Sequence, residues 1–127
     1  YEAPFDAHIV LKEAGKDHDM ILFDCLTLYV SNLLCSLDNI EDSHQNYRLA
    51  HEKIALLIKQ AQQNNGTTIF VTNEVGSGIV PENHLSREYR DIAGIVNQWM
   101  GRAADEVYLV VCGLAVNMKK LAENWEE

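Results

Sequence analysis

The chain is short of basic charge. Ten Lys and Arg stand against 19 Asp and Glu, a net charge of −9 over 127 residues. Surfaces that bind phosphate backbones or anionic membranes carry an excess of cations, so this balance argues against a nucleic-acid or membrane partner. A single small anion remains compatible with it, because a helix N-terminus holds phosphate through backbone N–H groups and the helix dipole. Cysteine is also sparse: Cys25, Cys35 and Cys112 are odd in number and show no CxxC pair or zinc spacing. Reduced thiols in a cytoplasmic protein are the simplest reading. No apolar run approaches the ~20 residues that cross a bilayer, and no signal peptide is visible. A Gly-rich phosphate loop with its Lys and Ser is missing as well, and with it the backbone N–H cradle that such a loop gives a nucleotide. The chain opens at Tyr1 rather than at a methionine. It is expected to be a single α/β domain over residues 1–127 and the C-terminal part of a larger one.

What is present suffices for a core, since 47% of the residues are hydrophobic. Residues 4–14 read as a helix, with Pro4 in its first turn, Phe5, His8, Ile9 and Leu11 at apolar spacing, and Gly15 as its stop. Residues 20–23 form an apolar run typical of a strand covered on both faces. After Asp24, the spacing of Leu26, Tyr29, Val30, Leu33 and Leu37 is helical. Ser43 can cap the next helix, whose stripe is Tyr47, Ala50, Ile54, Leu57, Ile58 and Ala61 and which Asn64-Asn-Gly66 ends. A strand over residues 67–71 follows. A further helix starts between residues 81 and 86 and runs to about residue 103, with Tyr89, Ile92, Val96, Trp99 and Ala103 facing inward. Residues 106–112 read as a third buried strand, closed by Gly113, and residues 114–127 as a short helix. Alternating strands and helices predict a parallel α/β sheet.

Chemistry concentrates at the strand ends, where open α/β sheets place their ligands. Asp24 ends an hhhhD pattern. Such an aspartate holds Mg²⁺ beside nucleotide phosphates in nucleoside triphosphatases, but one at a strand end is also a common helix cap. The second strand runs into Thr72-Asn-Glu-Val-Gly-Ser-Gly-Ile-Val-Pro-Glu-Asn83. Glu74 can polarise an attacking hydroxyl or water. Asn73 and Glu74 can equally serve the loop by accepting from the amides of Gly76 and Gly78. Those glycines suit a tight turn or the close approach of a ligand. Arg87 and Arg90 are candidates for phosphate, with solvated surface arginines as the plainer reading. His84 is the one histidine near the expected site, and His8 reads as packed core.

These segments resemble one family. The carrying motifs are Asp24-Cys-Leu-Thr-Leu-Tyr-Val-Ser-Asn-Leu-Leu34, the segment from Thr72 to Asn83, Tyr89-Arg-Asp-Ile-Ala-Gly94 and Ala103-Ala-Asp-Glu-Val-Tyr-Leu-Val-Val-Cys-Gly-Leu114. They are similar to the bifunctional adenosylcobinamide kinase/adenosylcobinamide-phosphate guanylyltransferases of cobalamin biosynthesis, over about residues 1–120. The resemblance implies a RecA-like P-loop fold with a mostly parallel sheet, incomplete here at its N-terminus. It implies ATP or GTP with Mg²⁺ as cofactors, and adenosylcobinamide and its phosphate as partners, in a homo-oligomer that is a trimer in the family. In the first reaction the aminopropanol hydroxyl is phosphorylated. In the second a histidine takes GMP from GTP and passes it to the phosphorylated acceptor. By resemblance Glu2 and Asp24 contact GTP, Asp24 serves the metal, and Asn73 and Glu74 occupy the family's strand-end pair, with Glu74 the candidate catalytic group.

The departures are specific. The phosphate loop has no counterpart, none of the five histidines matches the one that carries GMP, and Ala115 stands where the family usually has proline. A strand edge is therefore expected to be open, and the chain alone is expected neither to bind GTP tightly nor to turn it over. Two other readings stay open: a non-catalytic α/β module whose role is assembly, and a different P-loop nucleotide-dependent enzyme.

Overall fold

The computed structural model describes residues 1–38 and 40–123. Its elements begin with α1 (Ala7–Asp17), β1 (Met20–Asp24), α2 (Leu26–Cys35) and α3 (Ser43–Gln63). Next come β2 (Thr67–Val71), one 3-10 turn over Val75–Ser77 and α4 (His84–Ala103). β3 (Tyr108–Val111), β4 (Leu114–Asn117) and α5 (Met118–Leu121) follow.

β1 and β2 pair in parallel, from Met20 opposite Thr67 to Asp24 opposite Val71. The connection between them carries α2 and α3, as a parallel pair requires a long crossover. Gly66 starts this register: a Cβ there would lie 2.2 Å from the Asp19 carbonyl oxygen, which accepts the Thr67 N–H at 2.8 Å. Alternate strand residues turn to the helices. Ile21, Phe23 and Phe70 pack against a buried cluster that includes Leu26, Tyr29, Ile54, Leu57 and Val96. The Phe23 ring meets Tyr29 edge-on at 5.8 Å and Phe70 at 5.4 Å. The other face is open, with Met20 and Leu22 68% and 61% exposed. The expectation of cover on both faces therefore holds on one only.

Three further expectations need correction. The first helix starts at Ala7, not Pro4, because Asp6 takes a left-handed backbone (φ 49°) that no helix can run through. It also continues past Gly15, which does not terminate it. That glycine permits a close approach, since a Cβ there would lie 2.6 Å from the Asn64 side chain. Asn64 in turn donates to the Leu11 carbonyl at 3.2 Å. At the start of α3 the cap is Asp42, whose carboxylate accepts the Gln45 N–H at 3.0 Å. Ser43 instead donates to Glu88 at 3.0 Å.

The third correction concerns the end of the chain. Residues 106–112 do not give a buried strand of the β1–β2 sheet. β3 pairs antiparallel with β4 in a separate two-stranded sheet, and all four β3 residues are exposed. Cys112 and Gly113 join them with φ of 51° and 78°; two central residues at positive φ give the twist that a two-residue hairpin needs. The apolar run from Tyr108 to Val111 read as a strand correctly, but a run cannot name its partner. Residues 114–117 are then strand rather than helix, with only α5 helical beyond them, and the expected helix over 124–127 lies outside the described residues. Among the described residues, no helix is long and apolar enough to cross a membrane.

Candidate functional site

Parallel pairing brings the carboxyl ends of β1 and β2 to one edge, with Asp24 level with Val71. The peptide from Asp24 to Cys25 is cis. α2 begins directly afterwards, and its cap is Cys25, whose Sγ accepts the Leu28 N–H at 3.4 Å. The capping duty that a strand-end aspartate often performs is thus filled by its neighbour. Asp24 is exposed and makes no hydrogen bond or ion pair with any described residue.

The β2 end is braced. Thr72 Oγ1 donates to Asn97 Oδ1 at 2.6 Å. Asn97 Nδ2 donates to the Asn73 carbonyl at 3.0 Å and to Glu74 Oε1 at 3.2 Å. The Asn73 N–H reaches Thr27 Oγ1 at 3.1 Å. One α4 amide therefore fixes three successive residues, and Thr27 ties them to the first turn of α2. Asn97 holds one Glu74 oxygen, and among the described residues nothing hydrogen-bonds to the other. Among the described residues the Asn73 side chain has no hydrogen-bond partner, although its backbone is fixed at both polar atoms.

The expected use of Asn73 and Glu74 to bond the glycine amides is not what forms. The loop is stapled through its carbonyls: Arg90 Nη2 donates to Gly76 at 2.6 Å and Gly78 at 3.4 Å. Arg87 Nη1 donates to the Pro81 carbonyl at 3.2 Å and also to that of Glu82. Both arginines hold the loop through its carbonyls, a role that neither the phosphate reading nor the solvated-surface reading had given them. Asn83 caps α4, accepting the Ser86 N–H at 2.8 Å. A Cβ at Gly76 would meet nothing within 4 Å, and Gly78 has an extended backbone at φ −91°. Neither glycine is demanded by a left-handed turn, and the space before Gly76 is open.

Tyr89 completes this edge, its hydroxyl donating to the Thr27 carbonyl at 3.3 Å. Burial pushes its phenol above the ordinary value, with Cys25 adding in the same direction, so it remains a donor. Glu2 lies exposed ahead of α1, and no hydrogen bond or ion pair joins it to Asp24, Asn73 or Glu74. His84 makes no hydrogen bond or ion pair with Asp24, Asn73 or Glu74; its Nε2 lies 3.5 Å from Glu41 Oε2.

No group of three or more His, Cys, Asp or Glu side chains converges among the described residues. An all-protein metal cage is not preformed here; the arrangement offers one free carboxylate, Asp24. The sequence reading passed over Asn97, Thr27 and Thr72. Asn97 did carry a signal, because it lies two helical turns after Arg90 and so shares its face.

An α/β unit with a free acid at one parallel strand end and a braced acid at the next is of the kind that takes a ligand at its carboxyl edge. Residues 1–118 match the family model described as cobinamide kinase / cobinamide phosphate guanyltransferase, and the chain belongs to that family. It is 48% identical over 106 residues to the bifunctional adenosylcobalamin biosynthesis protein CobU of Salmonella typhimurium, covering 80% of this chain and 59% of that protein. The corresponding CobU of Escherichia coli is 41% identical over 107 residues, 80% of this chain and 59% of that protein. CobP of Pseudomonas aeruginosa is 35% identical over 118 residues, 93% of this chain and 64% of that protein. The matches thus span about three-fifths of the length of these relatives.

Proposed function

We propose that this chain is the acidic half of an active site that phosphorylates adenosylcobinamide with ATP or GTP and then transfers GMP from GTP to adenosylcobinamide phosphate. The observation that carries the reading is Asp24, exposed at a parallel strand end and relieved of capping by Cys25. Asp24 would hold the Mg²⁺ that accompanies the nucleotide. Mg²⁺ keeps most of its waters and takes one or two carboxylates plus phosphate oxygens, so a single acid suits it. Asn73 and Glu2 contact the nucleotide. When bound, the metal neutralises charge on the phosphates.

Glu74 serves the acceptor. Asn97 orients its carboxylate through Oε1, and the remaining oxygen takes the proton of the acceptor hydroxyl. The hydroxyl oxygen forms a bond to the γ-phosphorus as the bond from that phosphorus to the bridging oxygen breaks. The nucleoside diphosphate leaves with the electron pair. GMP transfer then runs through a histidine, with pyrophosphate leaving, and that histidine lies outside these 127 residues.

The phosphate loop is also supplied from outside them, on a strand that completes a RecA-like, mostly parallel sheet. Among the described residues the β1–β2 sheet has two strands only, each with an unpaired edge, and the β3–β4 hairpin is separate from it; both support this, because an unpaired strand edge invites a further strand. On this reading the protein is a cytoplasmic homo-oligomer, a trimer, acting on small molecules rather than nucleic acid or membranes. The 127 residues alone neither bind GTP tightly nor turn it over. The uncovered apolar face of β1, with Met20 and Leu22 exposed, favours a second reading, in which the unit serves assembly only.

The test uses the full-length protein with Mg²⁺-GTP and adenosylcobinamide phosphate. Adenosyl-GDP-cobinamide is the expected product, and Asp24→Asn is expected to lower its formation roughly 10–100-fold with an unchanged circular dichroism spectrum. A folded wild-type protein that yields no product overturns the enzyme reading and leaves assembly.

A further inference from the structure

A cleft of about 290 Å³ opens between α2 and the first turns of α4. Leu28, Leu34 and Leu85 give it an aliphatic lining, and Thr27, Ser31 and Ser86 give it hydroxyls. Among the described residues no charged one lines it. Thr27 belongs to the cleft and to the strand-end edge at once, since its Oγ1 accepts from Asn73 and its carbonyl from Tyr89. The cleft is therefore continuous with the edge that carries Asn73 and Glu74.

The lining decides what fits. A phosphate would meet no cation there, and the edge of a nucleobase would meet no carboxylate or side-chain amide to read it. Methylenes suit the leucines, and neutral hydrogen-bonding groups suit the hydroxyls. The volume is at the bottom of the roughly 300–1,000 Å³ that drug-sized ligands occupy, so a whole corrinoid is excluded and one flexible arm is not. Leu28 and Leu85 are 63% and 44% exposed where the cleft meets solvent, which leaves an apolar rim for the ring system outside.

We infer that this cleft seats the uncharged, amide-linked amino-alcohol arm of the corrinoid acceptor and delivers its terminal hydroxyl to the strand-end edge. The inference rests on the function proposed above. It assigns acceptor binding to α2 and the start of α4, apart from the nucleotide groups Asp24 and Glu2. Thr27 positions Asn73 and helps form the cleft, so it links the two subsites.

The experiment compares full-length wild-type protein with Ser31→Phe and Ser86→Phe, which fill the cleft. The acceptor KM is expected to rise about 10-fold or more, while the Kd for Mg²⁺-GTP stays within about twofold. Unchanged acceptor KM in either folded variant overturns the inference. So does a loss of Mg²⁺-GTP binding with acceptor KM intact, which would give the cleft to the nucleotide. Should the phenylalanines prevent folding, Ser31→Ala and Ser86→Ala decide: combined, they are expected to raise the acceptor KM several-fold, and an unchanged value overturns the inference. A wild-type protein that binds Mg²⁺-GTP but never processes the corrinoid overturns the proposed function instead, which separates the two failures.

Discussion

The two faces of β1 carry the same kind of residue and meet opposite fates. Ile21 and Phe23 pack into the helical cluster, whereas Met20 and Leu22, one step along the same strand, remain 68% and 61% exposed. Side chains alternate across a strand, so one face can be finished while the other waits. Behind the finished face, Leu26, Ile54, Leu57 and Val96 are at most 1% exposed. The difference shows that α1 to α4 complete a core on one side of the sheet without needing anything on the other. The candidate site lies at the end of that sheet, where Asp24 and Glu74 are rigidly carried from one side and left open from the other.

The comparison is most sharply tested at its extremes. Leu57 is 0% exposed and Leu22 is 61% exposed. Leu57→Ala is expected to cost about 2–5 kcal/mol, the usual toll of a cavity in a packed core. Leu22→Ala is expected to stay within about 0.5 kcal/mol, as an uncovered site should. Urea denaturation of the 127-residue chain reads both. An equal cost at the two positions would mean that the outer face is covered in solution, by another copy of the chain, and the contrast between the faces would disappear.

A smaller effect tests the polar part of the finished side. Glu88 is 8% exposed and Asn46 0% exposed. The Glu88 carboxylate accepts from Asn46 Nδ2 at 2.9 Å and from Ser43 at 3.0 Å, and Asn46 also donates to the Ile40 carbonyl at 2.8 Å. This pins the start of α3 to the second turn of α4, which in turn sets where the loop and its arginines sit. Glu88→Ala leaves those donors unpaired and is expected to cost about 1–3 kcal/mol in the same measurement. A neutral result would mean that water replaces the carboxylate and that the α3–α4 joint is looser than its geometry.

Smaller again is Asn97→Ala on the open side. It removes bonds to Thr72, Asn73 and Glu74, all at exposed positions where water can substitute. A stability loss of about 1 kcal/mol is expected. In the full-length protein the same change should lower kcat for acceptor phosphorylation more than it weakens Mg²⁺-GTP binding, because Glu74 loses the amide that orients its carboxylate, whereas Asn73 keeps its backbone bond to Thr27 and Asp24 is untouched. Equal losses in both would show that the two strand ends act as one unit.

How much of this was legible depends on which contacts are local. α3 and α4 were readable because each carries its apolar stripe within its own span, and the observed bounds follow that stripe closely. β1 and β2 were readable as strands, and the alternation of helix and strand gave their parallel pairing. The hairpin was not, since the apolar residues of β3 fit a sheet strand as well as a hairpin strand, and only the φ values at Cys112 and Gly113 decide. At the site, Asp24, Asn73 and Glu74 stood out by their place at strand ends. What the arginines do was hidden, because whether a cation meets a ligand or a carbonyl is settled by the path of the loop. Cys25 was hidden for a similar reason: a thiol is an uncommon cap, and its use here is what leaves Asp24 free.

The smallest expected effect lies on the outside of the finished side, where Lys53 of α3 meets Asp6 ahead of α1 at 2.6 Å. The Lys53 ammonium holds the Asp6 carboxyl below the ordinary value, first by its hydrogen bond and then by its charge. The same hydrogen bond raises Lys53. A lowered carboxyl stabilises the fold above the unfolded aspartate value, and that contribution fades as pH falls through the lowered folded value. A raised ammonium stabilises below the unfolded lysine value, and its contribution fades as pH rises through the raised one. The pair should therefore act across neutral pH and lose its effect in acid below about pH 4 and in strong base above about pH 10. Asp6 is solvated, so the effect should also shrink with added salt. Lys53→Met keeps the aliphatic stem and removes the charge. Its denaturation midpoint should fall slightly below wild type at pH 7 in low salt, and the gap should narrow as pH falls below about 4 or as salt is raised to about 1 M. A gap that persists in acid would assign the role of Lys53 to the packing of its stem between α1 and α3 rather than to its charge.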